Sequence, residues 1–383
     1  MILHEHIGQI IREYSGELPL HHYLKQFFKA HPKLGSRDRR TISDAVYTYY
    51  RAAHFLPPET PVFSIIQTGL NVLNSQNSFL KRIIGQEVAE STKELSFNTA
   101  LAGKDIALSQ GIDEDEWLLA QMQQPDLFIR LVRNADGHLQ RLKNKGIIYE
   151  PIEPIFHKTN SRALSLRLPN GSKIDQILPP EDYVVQDLST QTAVWQAATY
   201  RNNSKQALQV WDVCAGAGGK TILWKELFSQ DHILTTDIRK SILRNLKARA
   251  LQYDLSGIKT LVFNAATDNL PVDVQQLFDI IICDVPCSGS GTWGRTPEQF
   301  YFFKKDDLEK FKALQWPIAR NACRYLKPGG RLFYMTCSVF ECENEAVVHQ
   351  LQQEMSLKVL QQELINGISQ KSDNIYSAVL QKG

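Results

Sequence analysis

The chain has 383 residues, 43% of them hydrophobic, with 43 basic and 41 acidic side chains and a formal net charge of +2. The length exceeds one ordinary domain and fits two or three. The charge balance does not call for a polyanionic partner, yet leaves room for a local basic face. No apolar run is long enough to span a bilayer, and the N-terminus MILHEHIGQIIREY is too polar for a signal peptide, so a cytoplasmic protein without membrane attachment is expected.

Residues 1–110 read as a helical domain. Ile7, Ile10, Ile11 and Tyr14 recur at helical spacing, as do Leu20, Tyr23, Leu24, Phe27 and Phe28. Ser36 is expected to cap a helix that carries Ile42, Val46, Tyr49 and Tyr50 on one face. Lys33, Arg37, Arg39, Arg40 and Arg51 form a basic streak, which suits either a solvated helix face or a phosphate-contacting surface.

Residues 111–182 change character. Asp113 is placed to cap a short helix, and Pro125 opens a helix–strand mixture ending at Pro179-Pro180, read as a small α+β linking domain. From 183 to 383 strands and helices alternate, the sign of a doubly wound Rossmann-like sheet. Strands are predicted over 207–213, 233–236, 260–263, 278–283 and 331–336, and helices over 191–200, 220–227, 239–251, 308–326 and 343–354. Lys327-Pro328-Gly329-Gly330 reads as a turn feeding the fifth strand. The tail NIYSAVLQK is expected to add an antiparallel edge strand.

A glycine-rich loop follows the first of these strands. In WDVCAGAGGKT, a phosphate-cradling loop would need glycine where Cys214 stands. The Rossmann-type alternative needs an acid at the end of the next strand to hold a ribose, and Asp237 is there. Asp212, flanking the glycines, suits a cationic cofactor better than a pyrophosphate. S-adenosylmethionine carries a ribose and a sulfonium but no phosphate, and it is the expected cofactor.

The fourth strand, FDIIICD, ends in Asp284, Pro286 and Cys287; the fifth ends in Cys337. Ligands in open α/β sheets sit beyond the carboxyl ends of the strands, so the two thiols are expected to face one cleft. Methylation of cytosine at carbon-5 needs such a set. A thiolate adds to carbon-6 and makes carbon-5 nucleophilic, an acid holds the ring, and a base helps release the product. Cys337, Cys287 and Asp284 are candidates, although spacing does not say which thiol attacks. Cys283 and Cys323 read as buried small hydrophobes. None of the six cysteines forms a CxxC pair, and no histidine pair completes a zinc site, so no metal is expected.

PCSGSG after an aspartate, with TCS further on, resembles the Sun family of RNA (cytosine-5)-methyltransferases. The bacterial rRNA members carry an all-α NusB-like RNA-binding domain in front, which residues 34–51 resemble, and a linking domain, which 125–182 resemble. Gln186-Asp187-Leu188-Ser189 resembles the segment leading into the catalytic domain. The resemblance implies cofactor contacts at Cys214, Ala215, Gly216, Ala217, Gly218, Gly219, Lys220, Asp237, Asn264 and Asp284. It makes Cys337 the nucleophile and Cys287 the releasing thiol. Arg130 and Arg295 are candidate RNA contacts, the RNA is expected to be ribosomal, and a monomer is expected. Three positions depart from the family pattern. Ala217 stands where proline is usual, Asn264 replaces an acid that holds adenine, and Gly294-Arg295-Thr296-Pro297-Glu298 lacks one of two arginines. The alternatives are a tRNA target, or a catalytically weak rRNA-binding assembly factor. A DNA cytosine methyltransferase would leave the helical region unexplained, and an amino-methyltransferase would want Pro-Pro-aromatic where Pro286-Cys287 stands.

Overall fold

The structure, a computed structural model, describes residues 2–73, 77–85, 106–152, 164–201, 206–272 and 277–383. Parts of the predicted helical and linking segments, 86–105 and 153–163, lie outside the described residues. Contacts divide the chain into two units. One comprises 1–106, 113–124 and 292–305, and the other 107–112, 125–291 and 306–383.

The first unit is helical: α1 (Ile2–Glu13), α2 (Leu20–Ala30), α3 (Ser36–Ala52), α4 (Val62–Val72), α5 (Ser78–Gly85), α6 (Glu114–Gln121) and α11 (Pro297–Phe302). On α3, Ile42, Ala45, Val46, Tyr49 and Tyr50 are buried at the three- and four-residue spacing of one helix face. Its cap is Gly35 rather than Ser36, with the Gly35 N–H donating to Asp38 at 3.2 Å. Asp113 does cap α6, accepting from the Glu116 N–H at 2.9 Å. Arg51 leaves the expected basic streak. It is buried, and Nη1 donates to the carbonyls of Gln121, Gln123 and Gly294 at 2.8, 2.9 and 2.9 Å. Lys33, Arg37 and Arg40 remain exposed.

The second unit holds two sheets. In the smaller, β1 (Leu127–Leu131), β2 (Glu150–Ile152), β3 (Leu164–Leu168) and β4 (Tyr183–Val185) pair antiparallel in the order β2-β3-β1-β4. Ile129, Leu131, Leu166 and Leu168 pack with Leu142 of α7 (Ala135–Asn144).

The larger sheet contains β5 (Gln209–Asp212), β6 (His232–Asp237), β7 (Ile258–Val262), β8 (Phe278–Asp284), β9 (Leu326–Thr336), β10 (Leu357–Ile365) and β11 (Ile375–Lys382) in the order β10-β11-β9-β8-β5-β6-β7. Strands β5 to β9 run parallel, whereas β11 pairs antiparallel with both β9 and β10. The tail strand is therefore antiparallel, as expected, but not at the edge. The edge is β10, whose polar LKVLQQELI gave no clear strand signal. Lys327–Gly330 is a bulge within β9, since Phe278 pairs with Leu326 and Ile280 already with Arg331.

Ile280, Ile281 and Ile282 are at most 2% exposed, as a central strand covered on both faces requires. Each such side chain contributes roughly 1.5–3 kcal/mol through burial. One face is covered by α8 (Leu188–Thr199) and α9 (Gly219–Leu227), through Val194, Ala198, Leu223 and Trp224. The chain leaves β5 for β6 on one side and reaches β8 on the other, so a crevice opens where the connections diverge, at the carboxyl ends of β5 and β8.

Candidate active site

That crevice is a cavity of about 650 Å³. Its lining includes Cys214, Ala215, Gly216, Ala217, Gly219, Lys220, Asp237, Asn264, Asp284, Cys287 and Cys337. The structure thus brings together both thiols, the acid and the predicted cofactor loop, all within the second unit.

Gly218 is the predicted cofactor residue that does not line the cavity. It precedes α9 with φ +82°, and a Cβ there would lie 2.7 Å from the Leu246 side chain. Its absent side chain lets α10 (Lys240–Gln252) pack against the loop. The loop is further held by Gly216 N–H to Asp237 Oδ2 at 3.1 Å and by Arg249 to the Ala217 carbonyl at 2.7 Å.

Two acceptors in the cavity wall are buried without a partner: Asp212 Oδ1 and Gln186 Oε1. The other Asp212 oxygen accepts from Thr221 at 2.5 Å, and the Gln186 amide donates to the Gly219 carbonyl at 3.2 Å. Burial pushes the Asp212 carboxyl up to about 7. Two bare acceptors on one lining suit an ammonium or sulfonium, not a phosphate. Ile238, Phe263 and Ile318 supply an apolar flank for a flat ring. The wall therefore fits S-adenosylmethionine.

Asp237 does not wait empty. Arg239 donates to it through Nε at 3.0 Å and Nη2 at 3.1 Å. Burial works against its charge, but these bonds outweigh burial and hold its carboxyl below the usual range. The Asn264 amide oxygen, expected to face an adenine, accepts from the Ala266 N–H at 3.1 Å and has one lone pair left.

On the far side, Lys220 Nζ lies 2.5 Å from Asp284 Oδ2. Burial disfavours this ammonium, yet Asp284, with Asp212, keeps it charged well into the alkaline range. The pair ties α9 to the end of β8. Cys287 Sγ and Cys337 Sγ are 3.2 Å apart. The bond to Cys337, then burial, holds the Cys287 thiol far above its ordinary range. Gly291 lets its loop pack closely on the backbone of Asn374 and Cys337, because a Cβ there would lie 2.1 Å from the Asn374 carbonyl oxygen and 3.1 Å from that of Cys337. Cys283 and Cys323 are fully buried, as expected of small hydrophobes. Burial also drives Cys214 up, so it remains a neutral wall residue.

Arg130 is a correction. It lies in β1 at 0% exposure, with Nη1 donating to Glu226 of α9 at 2.7 Å. Desolvation of so buried an ion is tolerable only with its partner, which makes Arg130 a structural cation rather than an RNA contact. Arg295 is half-buried within the Thr292–Lys305 segment of the helical unit.

Sequence reasoning did not single out Ile238, Arg239, Phe263, Leu314 or Ile318 as lining residues. The first two directly follow the ribose acid and so were within reach. Leu314 and Ile318, one helical turn apart on α12 (Asp306–Arg324), give no signal until the helix is placed.

Residues 199–378 match the sequence model of the family described as 16S rRNA methyltransferase RsmB/F. The ribosomal RNA small subunit methyltransferase B of Pectobacterium carotovorum is 30% identical over 231 residues, 59% of this chain and 50% of that protein. The chain spans about half the length of the curated relatives it matches over that range. Among solved structures, PH0851 superposes with a TM-score of 0.68 at 18% identity, covering 94% of this chain and 93% of that one. NSun6 from Pyrococcus horikoshii, solved with SFG, gives 0.56 at 15% identity over 70% of this chain and 94% of its own. These last two likenesses are of fold. Among the described residues, no helix is long and apolar enough to cross a membrane.

Proposed function

We propose that the chain is a member of the RsmB/F methyltransferase family, whose model residues 199–378 match, and that it methylates carbon-5 of a cytosine in RNA, with ribosomal RNA as the substrate. The observation that carries this reading is the pair of thiols 3.2 Å apart in the same cavity as the cofactor loop.

S-adenosylmethionine supplies the methyl group. Asp212 and Gln186 would hold its cationic end, and Asp237 its ribose. Cys337 acts as the nucleophile: its thiolate bonds to carbon-6, and the electron pair moves to carbon-5, which takes the methyl group. Loss of the carbon-5 proton to a base restores the ring double bond and expels the Cys337 thiolate. Two sulfurs this close do not readily ionise together. The family resemblance assigns the attack to Cys337 and the release to Cys287, and the Cys287 thiol, bonded to Cys337 and buried, is suited to keep its proton during that attack. When Cys337 is bonded to carbon, its charge is gone, and Cys287 becomes free to ionise and help remove the carbon-5 proton. Asp284 holds the exocyclic amine and ring nitrogen-3, with Lys220 beside it as the proton source that nitrogen needs during attack.

The target base would be flipped into the cavity. The helical unit, read as NusB-like, would grip backbone phosphates through Lys33, Arg37 and Arg40, with Arg295 a further candidate contact. The reading is tested with labelled cofactor and rRNA from cells lacking the gene. Cys337→Ala is expected to abolish methylation. Cys287→Ala is expected to trap a protein–RNA adduct that survives denaturing gels. Trapping by Cys337→Ala instead would reverse the two roles, and full activity in both variants would end the thiol mechanism.

A further inference from the structure

The two sulfurs sit on separate loops, one after β8 and one after β9, and something must hold those loops in register. Cys287 is followed by Ser288, and Cys337 by Ser338. Both serines bond to one side chain, Glu343, which is 0% exposed. Its Oε2 accepts from Ser288 Oγ and Ser338 Oγ, each at 2.5 Å. Its Oε1 accepts from the Ser288 N–H and from Gln315 Nε2, each at 2.9 Å. Gln315, on α12, also donates to the carbonyl of Pro286 at 2.9 Å. Ser290 and Ser338 hydroxyls lie 3.1 Å apart and tie the loops a second time. Four donors on four lone-pair positions leave the carboxylate fully satisfied, and no lysine or arginine is among them.

We propose that Glu343 is the positioning residue of the thiol pair: one buried carboxylate that clasps the loops carrying Cys287 and Cys337 and places a fixed negative charge beside Cys287. The proposal rests on the thiol pair being the reacting centre. A neutral clasp of serines and an amide would hold the loops equally well. What the acid adds is charge, and charge acts on the sulfurs. The Glu343 carboxylate is among the causes that keep the Cys287 proton in place, after the bond to Cys337 and burial. Other ionisable groups face this cluster. Tyr334, on β9, is fully buried and neutral, and its hydroxyl donates to the Glu343 carbonyl at 2.7 Å. Cys342 is adjacent, with Lys312 acting on it from α12. Lys220 acts on the Cys337 side through its own charge. The Lys220 cation thus stands on the Cys337 side of the pair, and the Glu343 anion opposes ionisation at Cys287. This asymmetry has the sense that the proposed roles of attacker and releaser require.

The deciding readout needs neither RNA nor cofactor. The full-length protein is alkylated with iodoacetamide across the neutral-to-alkaline range, and modification of Cys287 and Cys337 is followed separately by peptide mass spectrometry. In Glu343→Gln, which keeps an acceptor oxygen for Ser288 and Gln315, the Cys287 alkylation midpoint is expected to fall by about one pH unit. In Ser338→Ala, which loosens the clasp but keeps the charge, that midpoint is expected to stay in place. Methyl transfer is expected to fall roughly tenfold to a hundredfold in both, with cofactor affinity unchanged by calorimetry. A folded Glu343→Gln protein with the wild-type Cys287 profile would overturn the proposal, and so would equal midpoint shifts in the two variants. If the midpoints behave as expected but the wild-type protein methylates no RNA, the clasp stands and the proposed reaction fails.

Discussion

Asp212 and Glu343 are both buried acids at the carboxyl edge of one sheet, at 1% and 0% exposure, yet their surroundings are opposite. Glu343 has a donor for every lone-pair position, whereas Asp212 has Thr221 on one oxygen and nothing on the other. The thiol wall is thus complete in itself, and its bonds fix a geometry. The cofactor wall is incomplete, and a ligand must finish it. A buried acceptor left bare costs about 1–3 kcal/mol, which binding of a cation recovers. Preorganisation belongs where bonds are made and broken, and unmet polar demand belongs where a ligand must be drawn in.

The comparison breaks most sharply at Lys220, which comes from the cofactor wall but sits on Asp284, at the root of the thiol wall. Lys220→Met is expected to lower single-turnover methyl transfer about a hundredfold, the scale of a lost proton donor. Cofactor affinity should be no weaker, because a cation has been removed beside a site for a cation. If calorimetry instead shows weaker binding with the rate intact at saturating cofactor, Lys220 belongs to the cofactor wall alone.

A smaller effect follows from the bare oxygen of Asp212. The folded carboxyl holds its proton to about 7, whereas the ordinary value is 3.8. Its contribution to stability without cofactor is present below the ordinary value and is lost as pH rises through 7. Cofactor binding runs the other way, because the ionised form is the competent one. Between about pH 6 and about pH 7.5 the ionised fraction rises roughly eightfold, and the affinity measured by calorimetry should rise with it. Asp212→Asn should flatten this dependence, and an unchanged slope would exclude Asp212 as the cation's partner.

Much of this contrast was legible before the fold was seen. The cofactor loop, Asp237 and both thiols stand at strand ends, and a strand end is a local signal in apolar runs such as Ile280–Ile282. Partnerships across loops were not legible. Glu343 lies five residues past Ser338 but fifty-five past Ser288, and only the pairing of β8 with β9 brings the two loops together. Arg130 shows the same limit, since its partner is ninety-six residues away. Its own setting did carry a warning: in LFIRL the arginine stands inside a run with no polar face, and a cation there must be paired rather than displayed. Nor does local pattern reveal that 292–305, between two strands of the large sheet, folds with the helical unit, because its aromatic residues would suit either core.

The smallest expected effect concerns Arg239, and its sign opposes intuition. Its side chain is 63% exposed and donates twice to Asp237, the acid meant for the ribose. A ribose hydroxyl must therefore compete with a guanidinium for the same oxygens. An ion pair whose cation is this exposed contributes about 0.2–1 kcal/mol, so Arg239→Ala should tighten cofactor binding by roughly twofold to threefold, with a small loss of thermal stability. The Gly216 N–H remains on Asp237 Oδ2 and keeps the acid oriented. If calorimetry shows weaker binding instead, Arg239 orients the acid for the ribose rather than competing with it. The cofactor wall would then be as preorganised at its ribose end as the thiol wall is around Glu343, and its incompleteness would be confined to Asp212 and Gln186.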